Sequence, residues 1–571
     1  MAVTPGATPQ GEPVPRIALA ALVALALALR VLYLIDVGDH VLARHLVVDQ
    51  ASYDAWARTI AAGDWLGSDV FYQDPLYPYL LAVLYALFGP QLLLVQALQV
   101  TLSSLAVLPL YGIGRRLFGD RRVGLLAALL WATYELSFFF DAQLLKTSPG
   151  LALLSAVLWL LLVARDRGGV APALAAGLAL GLLSLLRANF LLVGPLLFLW
   201  LARSRVRRSG AGAAPALAAF ALAFALVPGA TALRNHAVSG EWVLTTAQGG
   251  VNFFVGNQRG NLWGVGRDPG FARRTPLFEE REFRAEAERR AGRRLGAREV
   301  DRFWYRAGLA EIAADPGAWL GRLGRKLLVL MNRHEVSDNL SYDFFRERVS
   351  RLLALPFPAF WLAGPFGLAG LVMLRRRAGL LALTIGAYGA TLLLFYVVGR
   401  YRMPLVPPLL VCAAAGLVAA ATALRERRWS WLAGYGALLV VLSLLAAPRW
   451  LHVVHDDTWQ QIGHARLEEA RAGDALAAYE RALELNPRAG HAWLGKGLAL
   501  VELGRWHASL EALERAVALE PGFPPAQFFL GRSLERTGQP ARARDAYARA
   551  LALDPDLPEA QAGLARLGSG P

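Results

Sequence analysis

The sequence predicts an all-α protein in which a polytopic membrane helix bundle of about eleven spans is followed by an α-solenoid. The 571 residues are 56% hydrophobic and only 18% charged, and the mean hydropathy is +0.38. Soluble domains carry about a quarter charged residues, so most of this chain is not surrounded by water. Apolar runs recur up to residue 447, and a regular repeat fills the chain after residue 456.

The net charge of +15 does not indicate a nucleic-acid partner, because the arginines cluster beside apolar segments. Basic residues in such places are typical of membrane topology and of contact with anionic lipid headgroups. The single cysteine, Cys412, lies inside an apolar run. One thiol excludes both a disulfide framework and a cysteine-based metal site.

The membrane domain is predicted to cover residues 16–450, after a Pro/Gly-rich and polar N-terminus, 1–15, that we expect to be disordered. The run at 17–35 is longer than a signal-peptide core and has no clear cleavage site, so it predicts a retained anchor. Apolar runs of ~17–25 residues mark the spans. The predicted spans are 17–35, 91–113, 123–140, 148–164, 171–186, 190–202, 213–231, 352–374, 378–398, 403–424 and 430–447.

The basic connections predict the orientation of these spans. By the positive-inside rule, connections rich in Lys and Arg face the cytoplasm. The loop at 232–351, which is far longer than ordinary loops, and everything after 448 are then extracytoplasmic. The five basic connections that fall on one side are 114–122, 164–167, 202–208, 374–377 and 424–428.

Two short segments follow the first span on the predicted outer side. The stretch VVDQASYDAWARTIAAGDW, 47–65, has one apolar and one polar helical face, which predicts a helix in the membrane surface with Asp49 at its head. The run at 75–89 is too short to span, so we expect a juxtamembrane or re-entrant helix beside it. Its tyrosines, including Tyr77, suit the headgroup level.

The tail, 456–571, repeats with a period of 34 residues, since Pro487, Pro521 and Pro555 are each 34 apart. Gly463, Gly497 and Gly531 keep the same spacing, as do the large side chains Tyr479, Leu513 and Tyr547. Small residues where helices touch, aromatics between helix pairs and a proline after the second helix form the tetratricopeptide repeat pattern. Three copies predict a stable stack that binds other proteins.

Charged residues at the predicted outer membrane boundary are the candidates for chemistry. Asp49 is the candidate catalytic residue. Basic side chains on one boundary could hold the phosphate of a lipid-linked donor. The candidate phosphate contacts are Lys146, Arg187, Arg400 and Arg402, and further candidates are Arg234, Glu335 and Tyr77.

Simpler roles stay open for these residues. Aspartate is a favoured N-cap, so Asp49 could merely begin its helix. Arginine and lysine near helix ends often extend to lipid headgroups. Arg187 fits that role less well, because it lies between two apolar runs joined by a very short turn, where a cation needs a partner.

Five stretches in order, DQASYDAWARTIAAGDWL, FYQDPLYPYLLAVLYALFG, LLRANFLL, LRNHAVSGEWVLTTAQGGVNFFVGN and GRYRMPLVPPLL, resemble the polyprenyl-phosphate-sugar-dependent glycosyltransferases of the GT-C fold. The nearest group is the bacterial family 39-like branch, related to protein O-mannosyltransferases and lipid A aminoarabinose transferases. The resemblance implies inverting transfer at the outer face of the bacterial cytoplasmic membrane, with Asp49 as general base. Gln50 stands where many relatives carry a second acid, and Gln73–Asp74–Pro75 replaces the lysine-containing motif of the aminoarabinose transferases.

Two functions are compatible with the sequence. The first is a glycosyltransferase that uses a polyprenyl-phosphate sugar and a protein or glycan acceptor, with protein partners at the repeats. The second is a non-catalytic protein that binds lipid-linked glycan and recruits partners through the repeats. We expect no cofactor, and the lack of an Asp-x-Asp motif near Asp49 gives no support to a metal. A transporter is poorly supported, because the sequence shows neither an inverted repeat nor a charged residue in the middle of a span.

Overall fold

A computed structural model describes residues 14–266, 269–272, 276–448 and 455–568, and these are helical with no strand among them. The predicted all-α class is confirmed. The chain divides into two compact units, one of residues 1–37 and 48–451 and the other of residues 38–47 and 452–571. The predicted disordered N-terminus lies outside the described residues except for positions 14 and 15.

Seven helices of the described chain are long and apolar enough to cross a membrane. The segments Arg121–Ala132 and Glu135–Asp141, which are bent by 50° at the break between them, make an eighth span if they are counted together. The seven helices are Arg16–Val37, Leu92–Phe118, Thr147–Arg167, Asn189–Arg207, Ala214–Ser239, Gly399–Arg425 and Trp429–Ala446.

Three of the eleven predicted spans are apolar helices of less than full length. They are Val170–Leu186, Phe360–Met373 and Gly379–Leu394, with 17, 14 and 16 residues. A helix of 14 residues extends about 21 Å, whereas the hydrocarbon core is about 30 Å thick. The helix predicted from residue 352 begins only at Phe360, because prolines at 356 and 358 disfavour helical backbone before them.

The first span contains a buried charge, which the sequence prediction of uncharged span interiors missed. Arg30 Nε lies 2.7 Å from Asp141 Oδ2, and both side chains are fully buried. Ser103 Oγ and Ser137 Oγ also accept hydrogen bonds from this guanidinium. The prediction was wrong because the counter-ion lies 111 residues away in the sequence.

The two short helices predicted after the first span both exist and lie side by side. They cover Asp49–Ala61 and Leu76–Phe88, and the rings of Tyr53 and Tyr77 meet edge to face with centroids 5.4 Å apart. Prolines fit the start of the second helix because the first turn needs no intrahelical N–H donor. Short helices elsewhere in this unit are Tyr342–Phe344 and Phe345–Val349. The span Gly399–Arg425 consists of Gly399–Arg402, Met403–Leu405 and Val406–Arg425.

The segment between Ser239 and Tyr342, here named the long connection, is helical and has its own apolar core. The preceding helix continues to Ser239, so the loop begins later than residue 232. Trp304 is fully buried and stacks on Phe271 with ring centroids 5.4 Å apart. The helices are Gly249–Asn257, Pro276–Ala291, Ala297–Ala314 and Pro316–Met331.

The tail forms three helix pairs and one further helix, as the 34-residue period predicts, and the tetratricopeptide fold is confirmed. Tyr479 fills the space between Gly463 and Gly495, where added Cβ atoms would lie 2.8 Å and 2.2 Å from its ring. Glycine at both positions therefore lets the helices approach. The helices are Asp456–Glu468, Ala472–Leu485, Gly490–Glu502, Trp506–Leu519, Pro524–Arg536, Pro540–Leu553 and Pro558–Gly568.

Candidate functional site

The Asp49 side chain does not cap the helix that it begins. The N-cap residue is Val48, and the cap makes no side-chain hydrogen bond. The capping role considered for Asp49 is therefore wrong. Val48 has φ 49° and ψ −116°, which is a strained backbone for a β-branched residue. Such strain persists where surrounding contacts impose it, as at functional sites.

The Asp49 carboxylate is instead held by two side chains from other parts of the unit. Its Oδ2 lies 2.7 Å from Arg400 Nη1, and its Oδ1 accepts a hydrogen bond of 2.9 Å from Gln73 Nε2. Burial raises the pKa of Asp49, but the charges of Arg400 and Lys146 outweigh burial and lower the pKa below its usual range. The carboxylate is therefore ionised at neutral pH.

Arg400 connects Asp49 to the long connection. Its Nε forms an ion pair with Asp338 Oδ2, and its guanidinium lies 4.9 Å from the centroid of the Tyr401 ring. Two carboxylates thus share one buried cation. This arrangement fixes Arg400 beside Asp49.

Lys146 and Asp74 form a second ion pair next to the first. Lys146 Nζ lies 2.5 Å from Asp74 Oδ2, and 9% and 13% of the two side chains are exposed. Burial lowers the pKa of Lys146, but the negative charge of Asp74 outweighs burial and raises it above its usual value. Lys146 also lies 5.9 Å from the centroid of the Tyr53 ring, on the helix that Asp49 begins.

A cavity of about 510 Å³ opens beside these ion pairs. Asp74, Lys146 and Arg187 lie in its wall, whereas Asp49 is not among its described lining residues. Other lining residues come from the long connection, from the turn that precedes Gly399 and from the helix that Gly399 begins. Its polar and aromatic members include Trp242, Gln248, Arg298, Asp301, Arg302, Tyr305, Tyr396 and Tyr401.

Arg187 is a cation of this wall that forms no ion pair with a carboxylate among the described residues. Its Nη2 donates to Thr147 Oγ1 at 3.3 Å and to the Arg400 carbonyl at 3.1 Å. Its Nε is buried without a hydrogen-bond partner. A buried donor is costly when unpaired. Arg187 therefore brings a positive charge without a carboxylate partner among the described residues to the cavity wall, where it can attract an anion.

The remaining predicted site residues lie away from the cavity wall. Arg402 forms an ion pair with Glu335 and donates to the carbonyls of Leu330 and Asn332. The pair of Arg402 and Glu335 thus fastens the start of the span Gly399–Arg425 to the long connection.

Arg234 and Tyr77 are also occupied by contacts within the protein. Arg234 donates to the carbonyls of Leu66 and Asp69 and lies 3.8 Å above the Phe71 ring. The Tyr77 hydroxyl donates to Gln99 Oε1 at 2.7 Å. Of the predicted residues, the structure brings Asp49, Lys146, Arg187 and Arg400 together.

Sequence analysis did not single out Asp74 as a site residue. Its only signal was the stretch Gln73–Asp74–Pro75, which departs from the lysine-containing motif considered in the resemblance. Asp74 supplies the counter-ion of Lys146. The contributions of Asp301 and Tyr305 from the long connection carried no recognisable motif.

Comparisons with known proteins match one family model in the part of the chain with the apolar helices and another in the tail. Residues 73–230 match the family model described as dolichyl-phosphate-mannose-protein mannosyltransferase, a range that includes Asp74, Lys146 and Arg187. Residues 461–506 and 495–558 match the tetratricopeptide repeat model. No curated protein matches the chain.

Solved tetratricopeptide domains are similar to the tail. The Arabidopsis OM64 domain is 20% identical over 20% of this chain and 93% of its own, with a TM-score of 0.19. The first domain of human RPAP3 is 19% identical over 20% of this chain and 92% of its own, with a TM-score of 0.20. The Yersinia enterocolitica secretion chaperone SycD is 15% identical over 20% and 94%, with a TM-score of 0.20.

Proposed function

We propose that this chain, a membrane glycosyltransferase of the GT-C type with C-terminal tetratricopeptide repeats, moves a sugar from a polyprenyl-phosphate donor to an acceptor hydroxyl. The reaction takes place at the outer face of a bacterial cytoplasmic membrane, with Asp49 as general base. The observation that carries the proposal is the cavity whose wall holds Arg187 and Lys146 next to the buried Asp49.

The donor phosphate binds to Arg187 and Lys146. Arg187 lines the cavity without a carboxylate partner among the described residues, and guanidinium groups bind phosphate oxygens through two parallel donors. Lys146 contributes a point charge that Asp74 keeps protonated and in place. Because the leaving phosphate gains negative charge as the glycosidic bond breaks, these cations stabilise the transition state more than the ground state.

The acceptor hydroxyl loses its proton to an Asp49 carboxylate oxygen as its own oxygen attacks the anomeric carbon. The bond between that carbon and the phosphate oxygen breaks, and the electron pair leaves with the phosphate. Attack opposite to the leaving group inverts the anomeric configuration. Arg400 and Gln73 are positioning residues, because they hold the carboxylate without contacting the reacting atoms.

The acceptor enters along the wall formed by the long connection. Trp242 and Tyr305 offer flat apolar faces there, and Arg298 and Asp301 offer polar contacts. Asp49 must reach the acceptor from behind the cavity wall, and catalytic hydrogen bonds often shorten only when substrate is bound. Binding of donor and acceptor therefore has to draw Asp49 toward the cavity.

The test replaces three carboxylates in separate variants. Asp49→Asn removes the base, and turnover should fall about 10²–10⁴-fold while donor binding persists. Asp338→Asn is the matched control, since it removes the other carboxylate from the same guanidinium. Asp338→Asn should lower turnover much less than Asp49→Asn, because the base remains and the asparagine oxygen can still accept from Arg400.

Asp74→Asn tests the competing base. Asp74 lies in the cavity wall, so full activity of Asp49→Asn with loss of activity in Asp74→Asn would move the base to Asp74. Equal losses in the Asp49 and Asp338 variants would mean that charge balance at Arg400 is what matters. A parent chain that binds donor but transfers no sugar would favour the non-catalytic recruiting protein.

A further inference from the structure

Three metal-binding side chains meet in the unit formed by residues 38–47 and 452–571. They are His45, His464 and Glu468, whose ligand atoms all lie within 4.8 Å of one another. His464 and Glu468 are four residues apart on the first repeat helix, Asp456–Glu468, and so share one helical face. His45 comes from the segment that leads into Asp49.

The carboxylate of Glu468 lies between the two imidazoles. Its Oε2 is 3.0 Å from His45 Nε2, and its Oε1 is 3.2 Å from His464 Nε2. Both rings therefore direct Nε2 to the same carboxylate. Ligands about 2.0–2.2 Å from a tetrahedral zinc ion lie about 3.4 Å from each other, so small side-chain shifts would admit the ion.

The backbone holds His45 in this position. His45 follows the short helix Val41–Arg44 as its C-cap, and its N–H donates to the Val41 carbonyl at 2.9 Å. At the other end of that helix, His40 Nδ1 accepts a hydrogen bond from the Leu42 N–H. A capped turn thus presents His45 to the repeat helix.

We propose that His45, His464 and Glu468 bind a zinc ion. Two imidazoles and one carboxylate are a common zinc ligand set, and water completes it. The His464 and Glu468 side chains are 64% and 52% exposed, so the fourth position is open to solvent. The ion fastens the segment that leads into Asp49 to the first repeat helix.

The test is zinc titration of the full-length protein in detergent. The protein carries an affinity tag without histidines and is stripped with a chelator, and a chromogenic zinc chelator competes for the added zinc. The parent should bind one high-affinity equivalent. Loss of even an outer-shell partner costs about 10–100-fold in metal affinity, so His464→Gln and Glu468→Gln should each weaken binding by at least about 100-fold.

His491→Gln is the matched control, because His491 pairs with Glu520 at 2.8 Å elsewhere in the repeats. That variant should bind zinc like the parent. Parent protein without a high-affinity equivalent would overturn the proposal. So would His464→Gln and Glu468→Gln variants that retain parental affinity, and both are expected to fold because the two side chains are largely exposed.

Discussion

Arg187 and Arg402 allow a direct test of which arginine holds the donor phosphate. Arg187→Ala removes a cation that lies in the cavity wall and has no carboxylate partner among the described residues. A hydrogen bond to a charged group is worth about 1.5–3 kcal/mol. At 1.4 kcal/mol per decade, donor affinity should fall about ten- to hundredfold.

Arg402→Ala should lower the stability of the protein and leave its donor affinity unchanged. Arg402 pairs with the buried Glu335 and does not line the cavity. Its removal leaves Glu335 buried without its counter-ion, and breaking such a pair costs about 3–5 kcal/mol of stability. The thermal midpoint should therefore fall, while folded protein at low temperature should still bind donor with parental affinity.

The assay is binding of a labelled polyprenyl-phosphate sugar to purified protein, with thermal unfolding measured on the same samples. Arg187→Lys should recover part of the lost affinity, because lysine restores the charge but not the planar pair of donors. Parental donor affinity in Arg187→Ala would refute the phosphate role. Weakened binding in a well-folded Arg402→Ala would show that the cavity is not where the phosphate lies.

Three further predictions concern pH, topology and the repeats. Burial raises the pKa of Asp49, but Arg400 lowers it below its usual value of about 3.9. The ion pair is therefore stable above about pH 4 and is lost as pH falls through the lowered pKa. A loss of turnover on acidification that began near neutral pH would contradict this. Alkaline phosphatase fused after the last residue should be active in a bacterial host, and an inactive fusion would place the repeats in the cytoplasm. Gly495→Ala, which brings Cβ to 2.2 Å from the Tyr479 ring, should destabilise the repeats by about 1–3 kcal/mol, whereas Gly473→Ala meets open space and should not, as thermal unfolding will show.

The repeats could be predicted well because their signal is local. Each periodic glycine faces a large side chain 16 residues later, and the structure packs Gly463 on Tyr479, Gly497 on Leu513 and Gly531 on Tyr547. The length of the spans was less predictable. Hydropathy locates the apolar run near Phe360, but the backbone restriction of two prolines decides where its helix begins.

The candidate site could be predicted as a set of residues and not as an arrangement. Asp49 and Arg400 meet, but Arg400 and Arg402 are two residues apart and have different partners. Arg400 pairs with Asp49 and Asp338, and Arg402 pairs with Glu335. That choice depends on contacts between distant segments, as does the buried pair of Arg30 with Asp141, and periodicity carries no information about either.

The contact between Asp49 and Arg400 has a consequence for biosynthesis. The two residues are 351 positions apart, from 49 to 400. At about 5–20 residues per second, a ribosome adds Arg400 about 20–70 s after Asp49. Until then the carboxylate lacks its ion-pair partner, so the nascent chain carries no assembled centre. Chains released before residue 400 are therefore expected to be inert toward their substrates.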